Sequence, residues 1–130
     1  MGEVIVLADD EADLRTIYAE ILRREGHEVL EAADGNEALS LVLGRRPALL
    51  ILDVWMPVSN GFDVIDRLRQ HPEAANTRVV MFSNLGDAET QLETFSAGVT
   101  DYWVKGLPLQ EFQAGVRRVL AETQPLQAAV

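Results

Sequence analysis

Alternation constrains this chain most: short apolar runs take turns with amphipathic stretches along its whole length. The first run is Val4-Ile5-Val6-Leu7-Ala8, followed by Leu14, Ile17, Tyr18, Ile21 and Leu22 at helical spacing and by Gly26 as a stop. The second run, His27 to Ala32, carries Glu28 and Glu31. Leu39, Val42 and Leu43 then mark a helix ending near Gly44 and Pro47. Ala48 to Leu52 is wholly apolar and stops at Asp53. Asn60-Gly61 opens a helix that uses Phe62, Ile65 and Leu68. Val79 to Phe82 stops at Ser83. A fourth helix uses Ala88, Leu92 and Phe95 and closes at Gly98. Tyr102-Trp103-Val104 precedes Lys105, and Pro108 starts a fifth helix with Leu109, Phe112, Val116, Val119 and Leu120 inward.

Five strands alternating with five helices imply a parallel sheet covered on both faces, with right-handed crossovers. The first, third and fourth runs are almost purely apolar, as strands buried on both faces require. The second and fifth carry charges and are placed at the edges. We therefore expect a flavodoxin-like (βα)5 doubly wound fold of strand order 2-1-3-4-5, although other orders also keep strands 2 and 5 outside. The domain is placed at residues 1–123, with 124–130 as a C-terminal tail.

Parallel strands deliver their carboxyl ends to one edge of the sheet, where ligands of such folds bind. Strand 1 ends at Asp9-Asp10, strand 3 at Asp53, strand 4 at Ser83 and strand 5 at Lys105. Three carboxylates, a hydroxyl and an ammonium therefore share one small surface. Crowded carboxylates either hold their protons or gather a cation. Hard oxygens without His or Cys nearby favour Mg²⁺, with Mn²⁺ as the alternative. A carboxylate can also attack phosphorus to give an aspartyl-phosphate.

At these residues the chain resembles the receiver domain of two-component response regulators, from Val4 to Glu122. The matching pieces are Ala8-Asp9-Asp10-Glu11, Asp53-Val54-Trp55-Met56-Pro57 with Gly61, Ser83, and Tyr102-Trp103-Val104-Lys105. The resemblance implies that Asp53 is the phosphoacceptor. It implies that Asp10, Asp53 and the backbone carbonyl of Trp55 bind Mg²⁺ and that Asp9 acts largely through water. Lys105 and Ser83 would contact the phosphoryl group, and Ser83 and Tyr102 would switch on phosphorylation. The implied donor is a sensor histidine kinase or phosphotransfer protein. The implied readout, to a partner or output domain, is a changed surface of helix 4, strand 5 and helix 5, which a homodimer could also use.

Two positions depart from the family pattern. Gly106 stands where proline usually follows the lysine, so a trans peptide is expected there and the loop, with the reach of Lys105, could differ. Asn84 replaces a small residue beside Ser83, and Trp55 stands at the rim; both could narrow access to Asp53. Taken alone, Asp9-Asp10 could merely cap helix 1, Tyr102 could be edge packing, and Trp55 and Trp103 read as packing residues. His27 and His71 read as surface residues. The acids of helix 4 (Asp87, Glu89, Glu93) read as a solvated face.

Other classes fit less well. An aspartate-nucleophile phosphatase would want an acid where Trp55 stands. A nucleotide site would want a glycine-rich loop after strand 1. A receiver that no longer accepts phosphate is the remaining alternative. A net charge of −10 argues against direct binding to nucleic acid or an anionic membrane. There are no cysteines, no apolar run approaches a membrane span, and Met1-Gly2-Glu3 does not begin a signal peptide, so a cytoplasmic location is expected. The resemblance implies a signalling module rather than an enzyme, with at most its own phosphorylation and slow dephosphorylation.

Overall fold

The computed structural model describes residues 2–84 and 98–122. The elements are β1 (Val4–Ala8), α1 (Ala12–Arg24), β2 (Glu28–Ala32), α2 (Gly35–Arg45), β3 (Leu49–Leu52), α3 (Gly61–Leu68), a 3-10 turn (Pro72–Ala74), β4 (Arg78–Ser83), β5 (Asp101–Val104) and α4 (Leu109–Ala121). Here α4 is the fifth of the expected helices. The expected fourth helix, with Ala88, Leu92, Phe95 and the acids Asp87, Glu89 and Glu93, lies outside the described residues, as does the tail.

All four strand pairs are parallel and the order is β2-β1-β3-β4-β5. The charged runs do take the edges, because only an edge strand can keep Glu28 in water. Period-two alternation splits the interior in two. Val6, Ala8, Leu50, Leu52, Met81 and Tyr102 face α2 and α3. Ile5, Leu7, Leu49, Ile51, Phe82 and Trp103 face α1 and α4. On that second face Phe112 packs its ring 4.7 Å from Tyr18, 5.5 Å from Phe82 and 5.8 Å from Trp103.

Helix ends follow local chemistry. Asn60 caps α3 by accepting from Asp63 N at 3.0 Å. Asp34 caps α2 in the same way through Glu37 N at 2.9 Å. As expected, α2 ends near Gly44 and Pro47: it runs to Arg45 and closes on Arg46 in a left-handed conformation (φ 46°). Two expectations are corrected. Ile17 and Leu109 are not inward: they are 57% and 47% exposed. The sheet covers a narrower strip of α1 than its apolar periodicity spans, and Leu109 lies in the first turn of α4. Trp55 is not a packing residue either, being 53% exposed, whereas Trp103 is buried against Phe112.

Candidate functional site

The register places the site before any side chain is considered. Asp9 N donates to Ala32 O, and Asp53 N donates to Ala8 O, each at 3.0 Å, so both acids sit one step beyond the paired ends of β1, β2 and β3. Lys105 N donates to Ser83 O at 2.8 Å, which aligns the start of the β5–α4 loop with the end of β4. Gly61 lets α3 close over β3: a Cβ there would lie 2.8 Å from Asp53 O and 2.9 Å from Met81 Cε.

Asp9, Asp10 and Asp53 each offer a carboxylate oxygen, and these lie within 4.8 Å of one another. Lys105 Nζ stands 2.7 Å from Asp9 Oδ2, 3.2 Å from Asp53 Oδ2 and 3.3 Å from Glu11 Oε1. Its side chain is only 3% exposed, and Asp9 and Asp53 are buried with it. Asp10 is exposed at the mouth. Asp53 Oδ1 accepts from Trp55 N at 3.2 Å, so the peptide before the Trp55 ring turns toward the carboxylate while the ring faces solvent. Ser83 is buried as the last residue of β4, and exposed Asn84 follows it. Tyr102 is buried in the core face shared with Met81 and Val99. His27 and His71 stand away from this edge; His27 accepts from Glu3 N and His71 pairs with Glu73.

Burial pushes the Asp53 carboxyl up to about 6; the Lys105 charge opposes this and Asp9 adds to it. Burial also works against the Lys105 ammonium, but its bond to Asp9 and the charges of Asp53 and Asp9 outweigh that and hold its pKa above the ordinary value. One ammonium thus compensates a set of acids that exceeds it in charge. A divalent cation held by hard oxygen ligands suits that imbalance.

The Asp9-Asp10 pair does not cap α1. Glu11 occupies the cap position without a side-chain bond, and Asp9 Oδ1 accepts from Glu11 N at 2.9 Å. The Lys105–Gly106 peptide is trans, and Gly106 has φ 95°. Proline cannot adopt that angle, and with glycine there Lys105 reaches both acids.

Residues 5–117 match the model of the response regulator receiver domain. The chain belongs to that family. It is 32% identical over 124 residues to the transcriptional regulatory protein SrrA of Staphylococcus aureus, covering 95% of this chain and 50% of that protein. Among solved structures it resembles the Vibrio cholerae chemotaxis protein CheY4, at 28% identity and TM-score 0.85, covering 92% of this chain and 99% of that one. It also resembles NtrX from Brucella abortus, at 35% identity and TM-score 0.82, covering 99% of this chain and 28% of that one. The receiver spans about half the length of the curated relatives it matches. As a receiver it is a signalling domain of two-component systems rather than a classical enzyme.

The sequence reading missed two site residues. Glu11, which follows the Asp9-Asp10 pair, is a third partner of Lys105. Arg15 donates from Nη1 to Asp9 O at 2.7 Å. Its only signal was an arginine in the second turn of a helix that starts beside the acids, and arginines there are ordinarily solvated.

Proposed function

We propose that this receiver is phosphorylated on Asp53 in a Mg²⁺-dependent reaction, by a phosphohistidine of a sensor kinase or phosphotransfer protein. One observation carries the reading: Lys105 Nζ bridges Asp9 and Asp53 at the place where three carboxylates converge. Asp10, Asp53 and the Trp55 carbonyl would hold Mg²⁺, or Mn²⁺ in its place, with Asp9 acting largely through water. Bound there, the cation supplies a Lewis acid that offsets charge on the phosphoryl oxygens.

The chain's own groups do the rest. A carboxylate oxygen of Asp53 attacks phosphorus in line as the bond to the donor's imidazole nitrogen breaks. A positive charge nearby lowers the proton affinity that burial gives Asp53, so the nucleophile is ionised at neutral pH. Lys105 exchanges a carboxylate contact for a phosphoryl oxygen, and Ser83 supplies a hydrogen bond. Tyr102 follows Ser83, and the surface around β5 and α4 changes for a partner or output domain. Phosphorylation then shifts a pre-existing equilibrium between two forms. SrrA is named a transcriptional regulatory protein, which supports an output in gene control; a homodimer through the same surface is the alternative use of it. Among the described residues no helix is long and apolar enough to cross a membrane, which fits a cytoplasmic partner set.

The test is incubation with acetyl phosphate and Mg²⁺, read by intact-mass spectrometry. Wild type should gain one phosphoryl group, and Asp53→Ala should gain none. An adduct of the same yield in Asp53→Ala, or none in wild type, rejects the reading.

A further inference from the structure

The acids of the site are held from behind by an ion-paired brace. Arg15, on the second turn of α1, has a largely buried side chain. Its Nη1 donates to the main-chain oxygen of Asp9 at 2.7 Å, and its Nε donates to Glu31 Oε1 at 3.0 Å. The second oxygen of Glu31 accepts from Arg23 at 3.2 Å, and Arg23 also donates to Val29 O at 2.8 Å. Glu31 lies in β2 one register step before Ala32, whose carbonyl accepts from Asp9 N. Asp9 is therefore fixed at its nitrogen by β2, at its carbonyl by Arg15, and at its two carboxylate oxygens by Glu11 N and Lys105.

We infer that Arg15 and Glu31 are positioning residues for the cation site, acting through the Asp9-Asp10 backbone. The inference rests on the metal reading above and concerns two residues that touch neither the cation ligands' side chains nor the nucleophile. Chemistry supports the pairing. A guanidinium can serve a carbonyl and a carboxylate at once from fixed directions, whereas a lysine ammonium on a flexible stem cannot reproduce that fork. An arginine close to a cation site would ordinarily repel the cation. Glu31 cancels that charge, so the brace fixes geometry without adding a positive field. This explains an acid in a strand whose neighbours Leu30 and Ala32 pack on the core. It also places the two carboxylates of the Asp9-Asp10 loop where they meet Asp53. Groups that orient metal ligands commonly carry 10–100-fold in affinity, on the order expected here.

The experiment titrates Mg²⁺ alone into the intact chain, followed by tryptophan emission, since half-exposed Trp55 reports beside the site. Wild type, Arg15→Lys, Arg15→Met, Glu31→Gln and the distant control Arg45→Met are compared, with thermal melts in parallel. The expected result is a Mg²⁺ midpoint raised about tenfold in all three brace variants and unchanged in the control. Arg15→Lys should lie closer to Arg15→Met than to wild type. Variants that melt lower yet keep the wild-type midpoint at a temperature where they are folded would overturn the brace and leave it a purely structural contact. A wild type without a saturable Mg²⁺ response would overturn the metal reading, and the brace with it; the two failures are thus told apart by wild type alone. If a variant does not fold, Glu31→Gln, which keeps its size, decides.

Discussion

The face of the sheet under α1 and α4 and the edge where the strands end are built from the same strands by opposite rules. On the face, Phe82 and Phe112 are fully buried among apolar neighbours, and every contact adds to stability. At the edge, the same strands run out into Asp9, Asp53 and Lys105, three buried charges with the ammonium within hydrogen-bonding distance of both acids. The face gains by excluding water. The edge gives up solvation of more negative than positive charge, and the raised Asp53 pKa records that cost. The lesson is that a parallel sheet can carry an unfavourable charge cluster because the stability is supplied a few residues earlier on each strand.

The comparison predicts effects of opposite sign. The largest is on the face: Phe112→Ala should lose about 3–5 kcal/mol, measured by urea unfolding, with no change in how stability depends on pH. Next comes the edge. Asp53 holds its proton more tightly folded than unfolded, so its contribution is most favourable below pH 4 and is lost as pH rises through about 6. Without divalent metal, Asp53→Asn should therefore be more stable than wild type above pH 6, by up to about 3 kcal/mol, with the gain vanishing below pH 4. Equal unfolding midpoints at pH 4 and pH 8 would remove the contrast between face and edge.

Two loops beside the site sharpen it further. Gly106 takes φ 95° without strain, in open space. Val58 takes φ 72° as the middle of a γ-turn, Ser59 N donating to Pro57 O at 2.8 Å, although it is β-branched and 76% exposed. Gly106→Ala should cost about 1 kcal/mol, and Val58→Gly should gain up to about 1 kcal/mol. Calorimetric melts showing the same sign for both would discard the strain argument. The smallest effect is kinetic. On the proposed function, Trp55→Asn should hydrolyse the acyl-phosphate several-fold faster, the half-exposed indole at the rim being the expected shield against water. Phosphate release after chelating Mg²⁺ measures it, and a slower variant would refute the shielding role.

The edge place of β2 was readable because Glu28 and Glu31 are incompatible with a strand buried on both faces, and the run that ends in Asp53 has no such charge; the full order β2-β1-β3-β4-β5 came from the fold, since other orders also keep β2 and β5 outside. The convergence of Asp9, Asp10, Asp53, Ser83 and Lys105 followed from parallel direction alone. Other features had no local signal. Periodicity names the apolar side of a helix but not how much of it a sheet will cover, which is why Ile17 and Leu109 came out in solvent. A valine at a positive φ contradicts local preference and sits in the turn that Ser59 N closes on Pro57 O.

The sequence by itself determined the layers, the edge strands and the residue types gathered at the carboxyl edge, because these depend on polarity and chain direction. Only the tertiary structure decided that Lys105 lies between Asp9 and Asp53, that Glu11 joins it, and that Arg15 reaches back to Asp9 from Glu31. Such contacts join residues distant in the chain. They depend on where long side chains end in three dimensions, which residue order does not encode locally.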